Sequence, residues 1–339
     1  MVFAYLVRHW LARRHYPFPS WAACIARSLR VLLFYRTHAR LAASTLYRDC
    51  LIPAHDDVFH HLSHRDYLAK GLTLRERVRC VLVHSRFEEK TFDAAYRQAV
   101  YRDGGLMLWR HDGEGKVFTI RLTMASRLNA EGDLTLVAST DGTCLHRLSF
   151  SWMEGGLAGV DLPILPFVAR NQGHHEGAFD AFAAFNAAFP NNSPSFFCAA
   201  ALSGIAQALG MDGFMAVKSA CQSAYDPADD KHFSNAYDNF WQTLGGVDMP
   251  GRAWHVALPF RLRPLSETPS KHRKRAAMRR AHWAAIAESA CAAIAGHLVR
   301  AHFDGGTHSP ARTPKPAPPS LTEQTGACES PLILQSAPR

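Results

Sequence analysis

The densest run of groups able to do chemistry is "RNQGHHEG", which places Arg170, Asn171, Gln172, His174, His175 and Glu176 directly after an apolar stretch. Imidazole titrates near neutral pH, so His174 or His175 could serve as a base, with Gln172 and Glu176 as further candidates for holding a substrate carbonyl or a proton. Gly173 permits a tight bend, and Arg170 with Gly173 forms the candidate contact for a cofactor. The competing reading is a solvated turn. His60 and His64 stand four residues apart, a spacing that puts two imidazoles on one face of a helix. A catalytic zinc centre needs three protein ligands, and although His55 and Asp57 lie near, no third ligand has matching spacing. No metal is expected. Asp226, Asp229 and Asp230 read as a solvated loop ahead of a helix capped by Ser234 or Asn235.

A second chemistry is anion binding. Residues 1–48 carry eight arginines and no acidic residue, and "KHRKRAAMRR" (271–280) adds Lys271, Arg273, Lys274, Arg275, Arg279 and Arg280 to a chain whose net charge is +9. Such blocks attract an anionic lipid surface, an acidic envelope component, nucleic acid or an acidic protein partner. Nucleic acid is the weaker reading, because no helix-turn-helix or zinc-finger pattern appears. The eight cysteines are scattered without a Cys-x-x-Cys pair, as expected of reduced, buried thiols. "VFAYLV" and "VLLFY" are too short for a signal segment or a bilayer span. A cytoplasmic protein is expected, with peripheral contact to the inner membrane as one role for the basic segments.

These residues must be held by elements that the patterning outlines. The first segment reads as helical: "WAACIARSLRVLLFYRTHARLAASTLYR" as one basic amphipathic helix, then a helix opened by a Thr73/Glu76 capping box. From "GLMLWRHDG" to "CLHRLSFSWM" the period falls to two between Asp-Gly and Glu-Gly turns, an antiparallel meander. "VDLPILPFVARNQG" is a further strand, and "LPILPFVA" lacks alternation, so it is expected to be buried on both faces. "GAFDAFAAFNAAF" and "SFFCAAALSGIAQALG" are helices, "FMAVKSA" a strand, "FSNAYDNFWQTLGG" a helix ending at Gly245 or Gly246, "AWHVALPF" a strand and the residues from Lys271 one long helix. The organisation is a basic helical region 1–90, an α/β domain 91–303 and a disordered Pro-, Ser- and Thr-rich tail 304–339.

The fold class is therefore α/β with a mixed, mostly antiparallel sheet. Its element order resembles the acetyl-CoA-dependent N-acyltransferase (GNAT) fold, and "NFWQTLGGV" resembles that fold's closing motif. This resemblance implies an acyl-CoA cofactor near Arg170 and Gly173. Two positions depart from it: Trp241 stands where a tyrosine acid is common, and His175 interrupts the pyrophosphate-loop pattern. Across residues 51–294, the blocks "SHRDYLAKGLTLRERVRCVLVHSRF", "RNQG", "YDNFWQTLGG" and "LPFRLRPLSETPSKHRKRAAMRR" resemble the VirK/YbjX family of bacterial proteins. That resemblance implies a role near the cell envelope, in virulence or tolerance of antimicrobial peptides, and supplies no catalytic residues. Two readings follow: an acyltransferase acting on an envelope component, or a non-catalytic relative of that fold binding a partner or anionic lipid.

Overall fold

The computed structural model describes residues 2–51, 59–113, 115–125, 131–173 and 177–299. All of them belong to one compact unit, which runs to His302. The proposed tail 304–339 lies outside the described residues.

The N-terminal region is a set of short helices: α1 (Val2–Ala12), α2 (Phe18–Ser28), α3 (Tyr35–Ala43) and α4 (His60–Ser63). The single long helix expected between Trp21 and Arg48 does not form. A 3-10 turn over Leu29–Phe34 and the open backbone of Phe34 (φ −122°, ψ 36°) separate α2 from α3, and Ser44 leaves the helix in extended conformation. The break lets Val31 and Leu41 turn into a small core with Val2, Leu6, Tyr47, Phe59 and Leu62, which an unbroken helix would spread over several faces. That core also takes Val78 and Val81 from α5 (Leu74–Thr91), whose first turn is closed by the Thr73–Glu76 capping box. Helix α6 (Ala94–Tyr101) follows, with Asp93 as its N-cap.

Four strands then run as a meander, β1 (Leu106–Gly113), β2 (Lys116–Met124), β3 (Leu134–Thr140) and β4 (Thr143–Glu154). After the short α7 (Gly155–Ala158), β5 (Ile164–Gly173) pairs antiparallel with β4. Helices α8 (Phe179–Ala188) and α9 (Pro194–Ala208) cross over to β6 (Gly213–Val217), which lies parallel to β5. Then come α10 (Asp230–Ala236), α11 (Asp238–Thr243), β7 (Val247–Asp248), β8 (Ala253–Ala257) and α12 (Ser270–Ala295). The eight-stranded sheet has the order β1-β2-β3-β4-β5-β6-β8-β7, with β5–β6 its one parallel pair.

The centre of the sheet is covered on both faces. Successive side chains of a strand point to opposite sides, yet Leu148 to Met153 of β4 and Leu165 to Ala169 of β5 are buried without interruption. Helix α9 packs on β3, β4 and β5, and α12 lies along α9. This approach requires a residue without a side chain at Gly204, where a Cβ would collide with the Ala287 carbonyl oxygen.

The expected helix "FSNAYDNFWQTLGG" is instead two. Tyr237 (φ −118°, ψ −77°) breaks it between α10 and α11. Its closing motif behaves as read: Phe240 is buried and Trp241 fully so. Gly245 takes φ +83°, its N–H donates to Gln242 O at 2.9 Å, and the Gly246 N–H donates to Trp241 O at 2.9 Å. That is the paired bonding of a Schellman stop, which needs a left-handed residue at the first glycine. Ser234 and Asn235 lie inside α10 rather than capping it, while the Asp226 side chain accepts from Ala228 N–H and caps the preceding 3-10 turn.

Candidate functional site

The site read from the sequence sits where β5 and β6 part. Val168 is the last β5 residue paired with β6, opposite Ala216. Across the other edge, Val168 faces Phe150 and Arg170 faces Ser149, so Ala169 is an extra residue. A bulge of this kind bends a strand and sharpens its twist. Strand β6 ends at Val217, so residues 170–173 run on past it and leave a wedge on that side of β5.

The wedge is occupied by the chain itself. Tyr237, fully buried at the break between α10 and α11, accepts a hydrogen bond from the Asn171 N–H at 3.4 Å. The Asn171 side chain donates to Ala236 O at 2.7 Å, which leaves its carbonyl oxygen to accept from His146 Nε2 at 2.8 Å. Arg170 pairs with Glu131 at 3.6 Å, and Glu131 also accepts from Gln222 and Ser223. Burial raises the Tyr237 hydroxyl's pKa, and the Glu131 charge adds to this, so the phenol holds its proton. Gln172 is half-buried opposite Arg147, and Gly173 is exposed opposite His146. His174, His175 and Glu176 lie outside the described residues.

Of the candidates named from sequence, Arg170, Gln172 and Gly173 are thus gathered at the wedge. Of the residues that fill it, Asn171 was read as part of the polar run, whereas Tyr237, and His146 and Glu131 at its edge, were not singled out by sequence. Trp241, which occupies the position expected for a tyrosine acid, is fully buried and holds its indole N–H without a hydrogen-bond partner among the described residues.

A second polar network lies between α5 and the sheet. Glu88 of α5 is fully buried and accepts from Trp152 Nε1 at 2.6 Å, Tyr101 at 3.1 Å and Tyr96 at 3.4 Å. Burial raises its pKa to about 7 against these donors. Asp133 accepts from Tyr67 at 2.6 Å, from His60 Nε2 at 2.8 Å and from Ser151. Burial opposes its ionisation, but the His84 and His60 charges and the bonds from His60 and Ser151 outweigh this and hold it well below the usual carboxylate range. No spacing rule in the sequence links these groups, which come from α4, α5, α6, β4 and the connecting segments that carry Tyr67 and Asp133.

The shared helix face that a four-residue spacing would give His60 and His64 does not form. Helix α4 ends at Ser63, His64 is extended, and His60 turns to Asp133. No group of three or more His, Cys, Asp or Glu side chains suited to a metal occurs among the described residues.

The cationic candidates start α12. Lys271, Arg273, Lys274 and Arg275 are exposed, while Arg279 and Arg280 are half-buried against a cleft. Arg273 is tied to the carbonyls of Leu265, Ser266 and Thr268.

Together these features define an α/β protein with a mixed open sheet, a plugged wedge at its single parallel pair and an arginine-rich helical flank. The chain belongs to the family described as "Protein of unknown function (DUF535)", whose model matches residues 26–291. It is 26% identical over 232 residues to the protein named "Uncharacterized protein YbjX" of Escherichia coli (strain K12), a match that covers 64% of this chain and 66% of that one. The chain thus spans just under two thirds of that relative's length. The match supports the VirK/YbjX grouping read from the sequence blocks. No solved structure matches the chain, and among the described residues no helix is long and apolar enough to cross a membrane.

Proposed function

We propose that this protein is a non-catalytic relative of the acyltransferase fold that docks peripherally on an anionic membrane, at the cytoplasmic face of the inner membrane, in support of envelope stress tolerance. The observation that carries the reading is α1. A helix apolar on every face belongs in a protein core, and α1 is apolar on two: Val2 and Leu6 are buried, while Phe3, Val7 and Leu11, each four residues apart, are exposed. Tyr35 brings its ring to 6.1 Å from Phe3, and Phe18 and Leu33 are 74% and 73% exposed nearby in sequence. The exposed Arg8, Arg14, Arg36 and Arg40 belong to the same region, which has no acidic residue before Asp49. Apolar side chains with a cationic surround suit the boundary between headgroups and acyl chains.

The order of the sheet, a meander followed by a parallel pair with a helical crossover and an antiparallel return, supports kinship with the acyltransferase fold. The filled wedge argues against its chemistry: the β5 amide that an extended ligand would meet is bonded to Tyr237. Co-sedimentation of the full chain with vesicles tests the docking. Binding to phosphatidylglycerol vesicles well above that to phosphatidylcholine, weakened by salt, is expected; equal recovery in both pellets overturns it. Thermal-shift measurement with acetyl-CoA tests the catalytic alternative, since a ligand of the folded state raises the melting temperature. No rise is expected.

A further inference from the structure

We propose that the cleft between α12 and residues 262–268 is a binding site for a phosphate ester, whose phosphate meets Arg275, Arg279 and Arg280 and whose carbon portion lies on Leu262 and Trp283. The cleft has a volume of about 410 Å³, within the range of roughly 300–1,000 Å³ typical of small-molecule sites and larger than a bare phosphate requires. Among the described residues its walls include Arg263, His272, Arg275, Arg279 and Arg280 and no carboxylate. Glu267 is the nearby acid, 3.6 Å from Arg263, and both groups are exposed.

Concentrating guanidinium groups costs free energy that the cleft offsets only in part, through the contact of Arg279 with Trp283. The Arg279 guanidinium lies 5.3 Å from the centre of the Trp283 ring, and its Nε is buried without a hydrogen-bond partner among the described residues. The Nε of Arg280 is in the same condition, although a terminal nitrogen of Arg280 donates to Arg263 O. Burial, and then the charge of Arg280, lower the proton affinity of Arg279. Arginine keeps its proton at any physiological pH, so the repulsion persists until an anion relieves it. Phosphate oxygens match the fork of a guanidinium and accept from several such groups at once.

The floor of the cleft is held in place independently of any ligand. Trp283 donates to Asn192 Oδ1 at 3.0 Å and stacks on Phe196 at 4.9 Å, and Arg273 fastens the 265–268 segment to the helix. Leu262, Ala276 and Trp283 add an apolar wall beside the cations, which suits an ester better than an inorganic ion.

Isothermal titration of the full chain tests the site with three probes: inorganic pyrophosphate, dihexanoyl phosphatidic acid below its micelle concentration, and a short DNA duplex. Binding of a phosphate probe is expected, weakened roughly 10- to 100-fold in Arg275→Gln/Arg279→Gln. Lys271→Gln/Lys274→Gln removes the same charge from exposed positions outside the cleft lining and is expected to bind as the parent does. Tighter binding of phosphatidic acid than of pyrophosphate assigns the phosphate to a lipid headgroup; the reverse assigns it to a soluble ester. Equal losses in the two double variants, or binding of DNA alone, overturn the proposal, as does binding of none of the probes. Should circular dichroism find the Arg275/Arg279 variant unfolded, Arg275→Gln alone replaces it, with a loss of about tenfold expected. These probes contain no bilayer, so their outcome is separate from that of vesicle docking through α1.

Discussion

The indole N–H of Trp152 donates to Glu88 Oε1 at 2.6 Å, joining β4 to α5 inside the core. Glu88 is fully buried, so the bond places a titratable group where water cannot solvate its charge. Its folded pKa of about 7 lies above the ordinary carboxylate value of 4.5. A raised acid binds more protons folded than unfolded between those values, so its contribution to stability is complete below about pH 4.5 and is lost as pH rises to about 7. The loss amounts to roughly 2–4 kcal/mol. Glu88→Gln, which keeps an acceptor for Trp152 and carries no charge, is expected to unfold with little dependence on pH from 5 to 8 beyond that of other groups. Urea denaturation of both proteins across that range checks this, and parallel pH profiles would contradict it. Asp133 works in the opposite sense: its pKa is held low, so its contribution falls away only in acid.

The Tyr237 hydroxyl is the acceptor for an amide that β6 cannot pair, because β6 ends at Val217. Tyr237→Phe removes the acceptor and keeps the packing. It is expected to cost about 1–3 kcal/mol, the usual penalty for a buried donor left unsatisfied. Tyr237→Ala empties the wedge as well and should cost more, about 3–5 kcal/mol. Chemical denaturation of the two variants separates hydrogen bond from volume; a Tyr237→Phe protein as stable as the parent would mean that the hydroxyl contributes nothing.

Gly245 stops α11 at φ +83°, and a Cβ there would fall 2.7 Å from the Arg261 carbonyl oxygen. Gly245→Ala therefore meets both a strained backbone and a backbone clash, and a loss of more than about 1 kcal/mol is expected. Trp241→Ala, one turn earlier, leaves a large cavity in the core at a cost of about 3–5 kcal/mol. Thermal unfolding checks both. A Gly245→Ala protein as stable as the parent would place the helix stop elsewhere.

The legible parts of this fold are those whose signal is local. The meander was readable from period-two runs and Asp-Gly turns, β5 from the unalternating "LPILPFVA", and the end of α11 from its glycine pair, because in each case adjacent residues carry the cause. The break at Tyr237 was not readable: the sequence there has helical periodicity, and the side chain that ends the helix answers an amide 66 residues away on β5. The division of the Arg-rich segment into α2 and α3 has the same origin, since Val31 and Leu41 are buried in one core with residues of α1 and α5. The candidate site divides similarly. "RNQG" announced itself by composition, whereas Glu88, Asp133 and Tyr237 are single polar residues whose meaning comes from burial. The α12 arginines were visible as charge, but their division into exposed residues and cleft-facing residues depends on the 262–268 segment folding back over the helix.

The face of α1 gives the sharpest test of membrane docking, because its two apolar stripes have separate jobs. Phe3, Val7 and Leu11 face away from the small core that Val2 and Leu6 join, so changing them leaves that core intact and costs only the exposed contact of Phe3 with Tyr35. Phe3→Ser/Leu11→Ser is therefore expected to keep the parent's melting temperature. Full burial of a Phe or Leu side chain contributes about 1.5–3 kcal/mol, and each basic residue near an anionic surface adds about 1 kcal/mol within a Debye length of roughly 8 Å. Two lost anchors should then lower binding to phosphatidylglycerol vesicles by about tenfold or more even at low salt. Arg8→Gln/Arg14→Gln should instead leave the apolar contact and lower binding less, with a shallower dependence on salt. Vesicle co-sedimentation over a salt series distinguishes the two. If the Phe3/Leu11 variant binds as the parent does, charge alone attracts the protein to the bilayer and the exposed stripe has another purpose.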